Sequence, residues 1–227
     1  MRFVSIIALV VAAAVLTTGG IYLFDYVGEK DVTTTVMIQD GLTCTINGEP
    51  VSNGGTVTTN AEKKMCIHIE STGNALLAFS GKWVSEKKTV YKDDALTEAA
   101  QTADFCIKLD RQDFTGNLAI FIAGSDSDDI CPIHMTFKFD ESQAKLTYSG
   151  GEIKNGDVIT FPKDGYVNIE SKLGRANIHY HYYWSNDYCN GSGDWEELNT
   201  SINATIDNMA WFSDGTGEFT VSVSPES

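Results

Sequence analysis

From Asp31 onward the chain alternates apolar and polar residues in short runs separated by turn residues. Successive side chains of a strand point to opposite faces, so such runs predict strands with one buried face. Asp31 to Gln39 (DVTTTVMIQ) is rich in β-branched residues and predicts the first strand. Leu42, Cys44 and Ile46 alternate with Thr43 and Thr45, and Asn47-Gly48 and Asn53-Gly54-Gly55 predict tight turns. Met65, Ile67 and Ile69 then alternate with Cys66, His68 and Glu70. Ala75 to Trp83 predicts a further strand, Lys87 to Tyr91 a short edge strand, and Phe105 to Leu109 and Leu118 to Ile122 two more. Asp93 to Ala103 (DDALTEAAQTA) departs from the alternation, and its propensities predict a helical turn between two sheets.

The same pattern is written twice. Gly48 to Trp83 (GEPVSNGGTVTTNAEKKMCIHIESTGNALLAFSGKW) and Gly151 to Trp184 (GEIKNGDVITFPKDGYVNIESKLGRANIHYHYYW) share Gly-Glu, Asn-Gly, Ile-Glu-Ser and a closing Trp. The ends correspond too: Asp113, Gly116, Leu118, Ile120 and Ile122 match Asp214, Gly217, Phe219, Val221 and Val223. Self-similarity at a fixed offset predicts a duplicated unit. Short strands at regular spacing with turn residues between them predict that each unit is a β-sandwich. Gly124 to Asp129 (GSDSDD), small and polar, falls between the copies. Its carboxylates suit a hard cation, but the EF-hand spacing is absent, so it reads as an acidic linker.

Phe3 to Phe24 carries no charge and is long enough to cross a bilayer as a helix. Arg2 precedes it and Asp25, Glu29, Lys30 and Asp31 follow, which places the body outside the cytoplasm. Cleavage of a signal peptide near Thr17-Thr18-Gly19 gives the same side but a released product. A formal net charge of −15 argues against binding to nucleic-acid backbone, which needs clustered Lys and Arg. The five cysteines suit an oxidising compartment, and their odd number leaves one unpaired. Cys66–Cys106 and Cys131–Cys189 are the preferred pairs, with Cys44 as the free or intermolecular thiol. None lies in a Cys-x-x-Cys motif, so no zinc ribbon or thioredoxin-type site is indicated.

One copy serves as a control for the other. Aligning Trp83 with Trp184 puts Phe79, Gly81 and Trp83, and likewise Tyr180, Tyr182 and Trp184, on a core face. Ala78, Ser80 and Lys82, and likewise His179, His181 and Tyr183, then lie on an outward face. His179 and His181, two apart on a strand, point the same way and are candidate metal ligands, though no third ligand is nominated. Asn190, Asn199 and Asn203 each begin an acceptor sequon for N-glycosylation, clustered in the second copy and absent from the first. No G-x-S-x-G, H-E-x-x-H or P-loop motif is present, no cofactor is indicated, and the reading is of a protein that is not an enzyme.

An N-terminal apolar segment, tandem strand-rich repeats and Asn-Gly turns together resemble the immunoglobulin-like repeat proteins of prokaryotic cell surfaces, archaeal ones among them, over residues 32–224. The resemblance implies a structural or adhesive role and carries over no functional residue. Cys66, Trp83 and Cys106 loosely echo the Cys…Trp…Cys hallmark of antibody domains. By strand parity, however, both cysteines face away from Ile67 and Ile107, so the resemblance does not extend to a core disulfide. The expectation is an all-β chain: an N-terminal transmembrane or signal helix over residues 1–30, two tandem Ig-like β-sandwich domains over 31–124 and 132–227, and an acidic linker over 125–131. Functionally it is a membrane-anchored extracytoplasmic protein that binds or spaces a surface protein or glycan. The alternatives are a self-associating filament subunit, with a helix core or strand exchange through Asp31–Gln39, and a sandwich-scaffold hydrolase.

Overall fold

The computed structural model of the chain describes residues 30–62, 64–125, 127–162 and 165–226. The expected membrane or signal helix falls on residues outside these, save Lys30. Among the described residues no helix is long and apolar enough to cross a membrane.

The described chain is all β. Its first half holds β1 (Asp31–Ile38), β2 (Leu42–Ile46), β3 (Glu49–Val51), β4 (Gly55–Asn60), β5 (Met65–Ala75), β6 (Leu77–Val84), β7 (Thr89–Ala95), β8 (Ala100–Ile107) and β9 (Phe114–Ile122). The second holds β10 (Ile133–Lys138), β11 (Ala144–Tyr148), β12 (Gly151–Ile153), β13 (Val158–Phe161), β14 (Gly165–Ser171), β15 (Ala176–Ser185), β16 (Asn190–Asn199), β17 (Ser201–Ile206) and β18 (Gly215–Pro225). The first half forms sheets ordered β4-β1-β9-β6-β7 and β3-β2-β5-β8, and the second forms β13-β10-β18-β15-β16 and β12-β11-β14-β17. Adding nine to each strand number of the first half gives the order of the second. Even the parallel pairings recur, β1 with β9 and β10 with β18.

Repeated residues explain the repeated topology. Asn53 Oδ1 accepts the Ile38 N–H at 2.9 Å, and Gly54 N–H donates to Val36 O at 2.8 Å. In the second copy Asn155 Oδ1 accepts from Phe139 N–H at 3.1 Å, and Gly156 N–H donates to Phe137 O at 2.8 Å. The Asn-Gly turn therefore ties off the end of the copy's first strand. Inward-facing residues of both sheets pack into one core per copy: Val36, Ile67, Ile69, Trp83, Leu118 and Ile120 in the first, Phe137, Val167, Ile169, Trp184 and Phe219 in the second. Two sheets closing over one apolar layer is the sandwich arrangement.

Two expectations are corrected. Asp93–Ala103 forms no helical turn: β7 runs through Ala95 and β8 begins at Ala100. Ladder pairing of Asp93 with Ser80 and Asp94 with Phe79 overrides the local helical propensity. The outward face of β6 is not exposed, since Ala78 and Ser80 are only 2% and 8% accessible. Loops of the second half cover it. Phe121 stacks on Trp211 with ring centroids 4.4 Å apart, joined by Ala78 and Ala119 in a separate apolar cluster. Lys82 Nζ donates to Asn186 O at 2.8 Å, Ser80 Oγ to Tyr188 O at 3.4 Å and Asn117 Nδ2 to Asp187 O at 3.2 Å. The residues between the halves are tethered as well: Ile130 bridges to Trp211, and Cys131 N–H donates to Ala210 O at 2.8 Å.

Candidate binding surface

The β15–β16 hairpin carries most of the residues in which the second copy departs from the first. Its core face, Ile178, Tyr182 and Trp184 with half-buried Tyr180, is as parity predicts. Its outward face presents His179, His181 and Tyr183. Asp194, paired with His181 across the ladder, sits between the two rings. It lies 3.2 Å from His179 Nε2 through one oxygen and 3.2 Å from His181 Nδ1 through the other. These hydrogen bonds, the His179 one foremost, hold the Asp194 carboxyl below the usual carboxylate range. The carboxylate engages one nitrogen of each ring, Nε2 of His179 and Nδ1 of His181. Among the described residues, no group of three or more His, Cys, Asp and Glu side chains is arranged to hold a metal ion.

The equivalent sheet face in the first half is the one sealed by Trp211 and its loop. The second half's face is half-exposed at His179 and exposed at His181 and Tyr183. Two equivalent surfaces thus have different fates, one packed within the chain and one open to solvent.

Behind this face, at the free edge where β16 approaches β17, lies a groove of about 350 Å³ lined by Trp195, Tyr180, Glu197, Asn168, Asn199 and Asn203, among others. Two of the three sequon asparagines are in it. Asn190 opens β16, Asn199 closes it and Asn203 lies on β17. Asn190 and Asn203 are exposed and Asn199 is half-buried, with its Nδ2 donating to Glu197 Oε1 at 3.0 Å.

The cysteines divide otherwise than expected. Cys66 and Cys106 stand opposite each other on β5 and β8 and form a disulfide on the outer face of the sheet. Cys131 and Cys189, expected to pair, are thiols, as is Cys44. The Cys189 thiol is turned to Met209 O at 2.9 Å and Asn186 Oδ1 at 3.2 Å, and Cys131 Sγ to Asp129 O at 3.8 Å, so each sulfur is directed at an oxygen. Burial pushes both Cys44 and Cys189 up to about 11.

Sequence reasoning missed Asn186 and Trp211. Asn186, 6% accessible, donates to Trp211 O and Ser213 O and accepts from the Tyr188 and Cys189 N–H groups, which shapes the loop that covers β6. The signal was a polar side chain outside any period-two run, visible as such but not assignable without its partners.

No protein-family model and no curated protein matches the chain. A solved structure with some likeness is that of a point mutant of the major pilin from Streptococcus pyogenes, 10% identical, covering 85% of this chain and 98% of that chain with a TM-score of 0.16. A likeness that slight carries no argument about fold or function.

Proposed function

We propose that this is an extracytoplasmic surface protein, held at the membrane by its apolar N-terminal segment, whose two immunoglobulin-like units serve a binding or adhesive role through the second copy. The observation that supports the reading is the unequal use of one duplicated surface. In the first copy that sheet face carries Ala78, Ser80 and Lys82 and is consumed by the contact between the halves. In the second, the same positions carry His179, His181 and Tyr183 beside Asp194, and the neighbouring edge carries exposed Trp195 at 55% accessibility. A solvent-facing surface that has diverged toward aromatic and titratable groups, on a scaffold otherwise repeated, is where recognition is expected.

Protease added to intact source cells tests the location. The expected result is cleavage of the body without lysis, with the N-terminal fragment sedimenting with membranes. Full protection until lysis overturns the reading. Electron microscopy of the same preparation addresses the filament alternative, for which ordered polymers are the required outcome. In the structure β1 is paired on both sides within its own sheet, with β4 and β9.

A further inference from the structure

We infer that the groove between β16 and β17 is a saccharide-binding site for neutral sugars, a refinement that rests on the second copy being the binding copy. Its lining defines the ligand by elimination. Among the described residues no Lys, Arg or His lines it, so an anion finds no counter-charge, and the one carboxylate, Glu197, is too little for a cation. Three amide side chains, Asn168, Asn199 and Asn203, make it too polar for an aliphatic chain. Two aromatic rings and a set of amides suit a ligand with one apolar C–H face and a rim of hydroxyls, which describes a pyranose ring.

The groups are held in place. Trp195 Nε1 donates to Glu197 Oε2 at 3.4 Å and Asn199 Nδ2 to Glu197 Oε1 at 3.0 Å, so the carboxylate is gripped from both sides with acceptor capacity left for hydroxyls. Asn168 Nδ2 donates to Asn203 Oδ1 at 3.1 Å across β14 and β17. Tyr180 is fixed from behind by stacking on Phe219 at 5.5 Å.

The first copy shows that the scaffold does not require this. By ladder register the counterpart of Trp195 is Asp94, and the Asn168–Asn203 pair is replaced by the ion pair of His68 and Asp104 at 2.8 Å. The counterpart of Glu197 is Leu96, which packs on the core and closes the edge that Glu197 leaves open. The sugar has two possible sources: a foreign glycan, or the chain's own N-linked glycan on Asn199 or Asn203 folded back onto Trp195.

The test uses the full chain in detergent, made in a host without N-glycosylation and in one with it. Trp83, Trp184 and Trp211 are at most 1% accessible, so acrylamide quenching reads Trp195 alone. Tetrasaccharides of glucose, mannose and N-acetylglucosamine are the probes, with calorimetry for variants that lack the fluorophore. For the unglycosylated chain, the expected result is saturable protection of Trp195 by at least one probe. Trp195→Ala should weaken binding at least tenfold, Trp195→Phe less, and Asp94→Ala, at the counterpart position of the first copy, not at all. If the chain's own glycan is the occupant, the glycosylated protein is protected before any probe is added, and enzymatic removal of the glycan abolishes that protection. Unprotected Trp195 under all of these conditions, or undiminished binding in Trp195→Ala, overturns the proposal. A protein shown to be intracellular that still binds sugar would overturn the surface reading alone, and a surface protein that binds none would overturn only this one.

Discussion

Trp83 on β6 stands directly across the ladder from Gly116 on β9, and Trp184 stands in the same way across from Gly217 on β18. A Cβ built on Gly116 would lie 2.3 Å from the Trp83 ring and 2.5 Å from Lys82 O, closer than real side chains come. The Thr-Gly that recurs in both copies therefore leaves room for the central indole. Gly116→Ala should destabilise the protein by about 3 kcal/mol, at the upper end of overpacking costs, because backbone as well as ring must move. Urea unfolding followed by circular dichroism reads this directly, and a loss below 0.5 kcal/mol on the order-of-magnitude scale of surface substitutions would contradict it.

The two tryptophans differ in their hydrogen bonding. Trp83 Nε1 donates to the fully buried Thr34 Oγ1 at 2.9 Å, whereas Trp184 Nε1, equally buried, has no hydrogen-bond partner among the described residues. Register gives the reason: the residue facing Gly116 from β1 is Thr34, and the one facing Gly217 from β10 is Met135. Thr34→Val keeps the shape and orphans the indole N–H, which should cost about 1–3 kcal/mol. Thr34→Ser, retaining the hydroxyl, should recover much of that in the same unfolding measurement. Equal losses in both variants would assign the effect to packing instead.

The thiols should separate by accessibility. Cys131 is half-exposed, while Cys44 and Cys189 are buried with their pKa values raised to about 11. The thiolate is the reactive form, so both buried groups are doubly protected at neutral pH. Iodoacetamide on the native protein should label one cysteine, identified by mass spectrometry as Cys131, and in urea three. Reduction should release Cys66 and Cys106, whose bridge closes a sequence separation of 40 residues and contributes about 4 kcal/mol in the chain-entropy picture. Native protein that shows no reactive thiol would mean that Cys131 and Cys189 are joined after all.

His68 should titrate above its ordinary value near 6.5. The hydrogen bond to Asp104 is the larger cause, and the one to Glu70 adds to it. Because the folded-state pKa is the higher one, the stabilisation is fully present below pH 6.5 and is lost as pH rises through the raised value. The ring is about one-third exposed, so the contribution is small, and the titration is more informative than the stability. Proton NMR should place the His68 midpoint above 6.5 and return it toward 6.5 in Asp104→Asn. A midpoint unchanged by that substitution would remove the assigned cause.

What could be read in advance follows from how local each cause is. Alternation of Ile67 and Ile69 with Cys66 and His68 reports a buried face whatever lies beyond it, and the duplication of Asn53-Gly54 in Asn155-Gly156 reports a shared turn. Parity also placed Cys66 and Cys106 outside the core, where they form their bridge. The contact between the halves left no such trace. Ala78 and Ser80 look like an ordinary solvent face because their partners, Tyr188 and Trp211, lie more than a hundred residues away in loops without periodicity. Trp195 was overlooked for a related reason: it sits in the glycine-rich and acidic run NGSGDWEELN, which is a strand only because β15 pairs with all ten of its residues.

That long-range contact bears on whether each copy is a folding unit. Each has its own core, and the shared apolar cluster is confined to Ala78, Ala119, Phe121 and Trp211 with a few flanking residues. A fragment spanning 132–227 should therefore fold alone, with a single cooperative urea transition. It should be less stable than the same region in the intact chain, because Trp211 loses the Phe121 ring stacked on it and becomes accessible. Removing an apolar covering of this size is worth about 1–3 kcal/mol. Trp211→Ala in the full chain should loosen the two halves without abolishing either core, giving two separated transitions where the parent gives one or a narrow pair. An unfolded 132–227 fragment would show that the halves fold only together, and the repeated topology would then describe one cooperative body built from two similar parts.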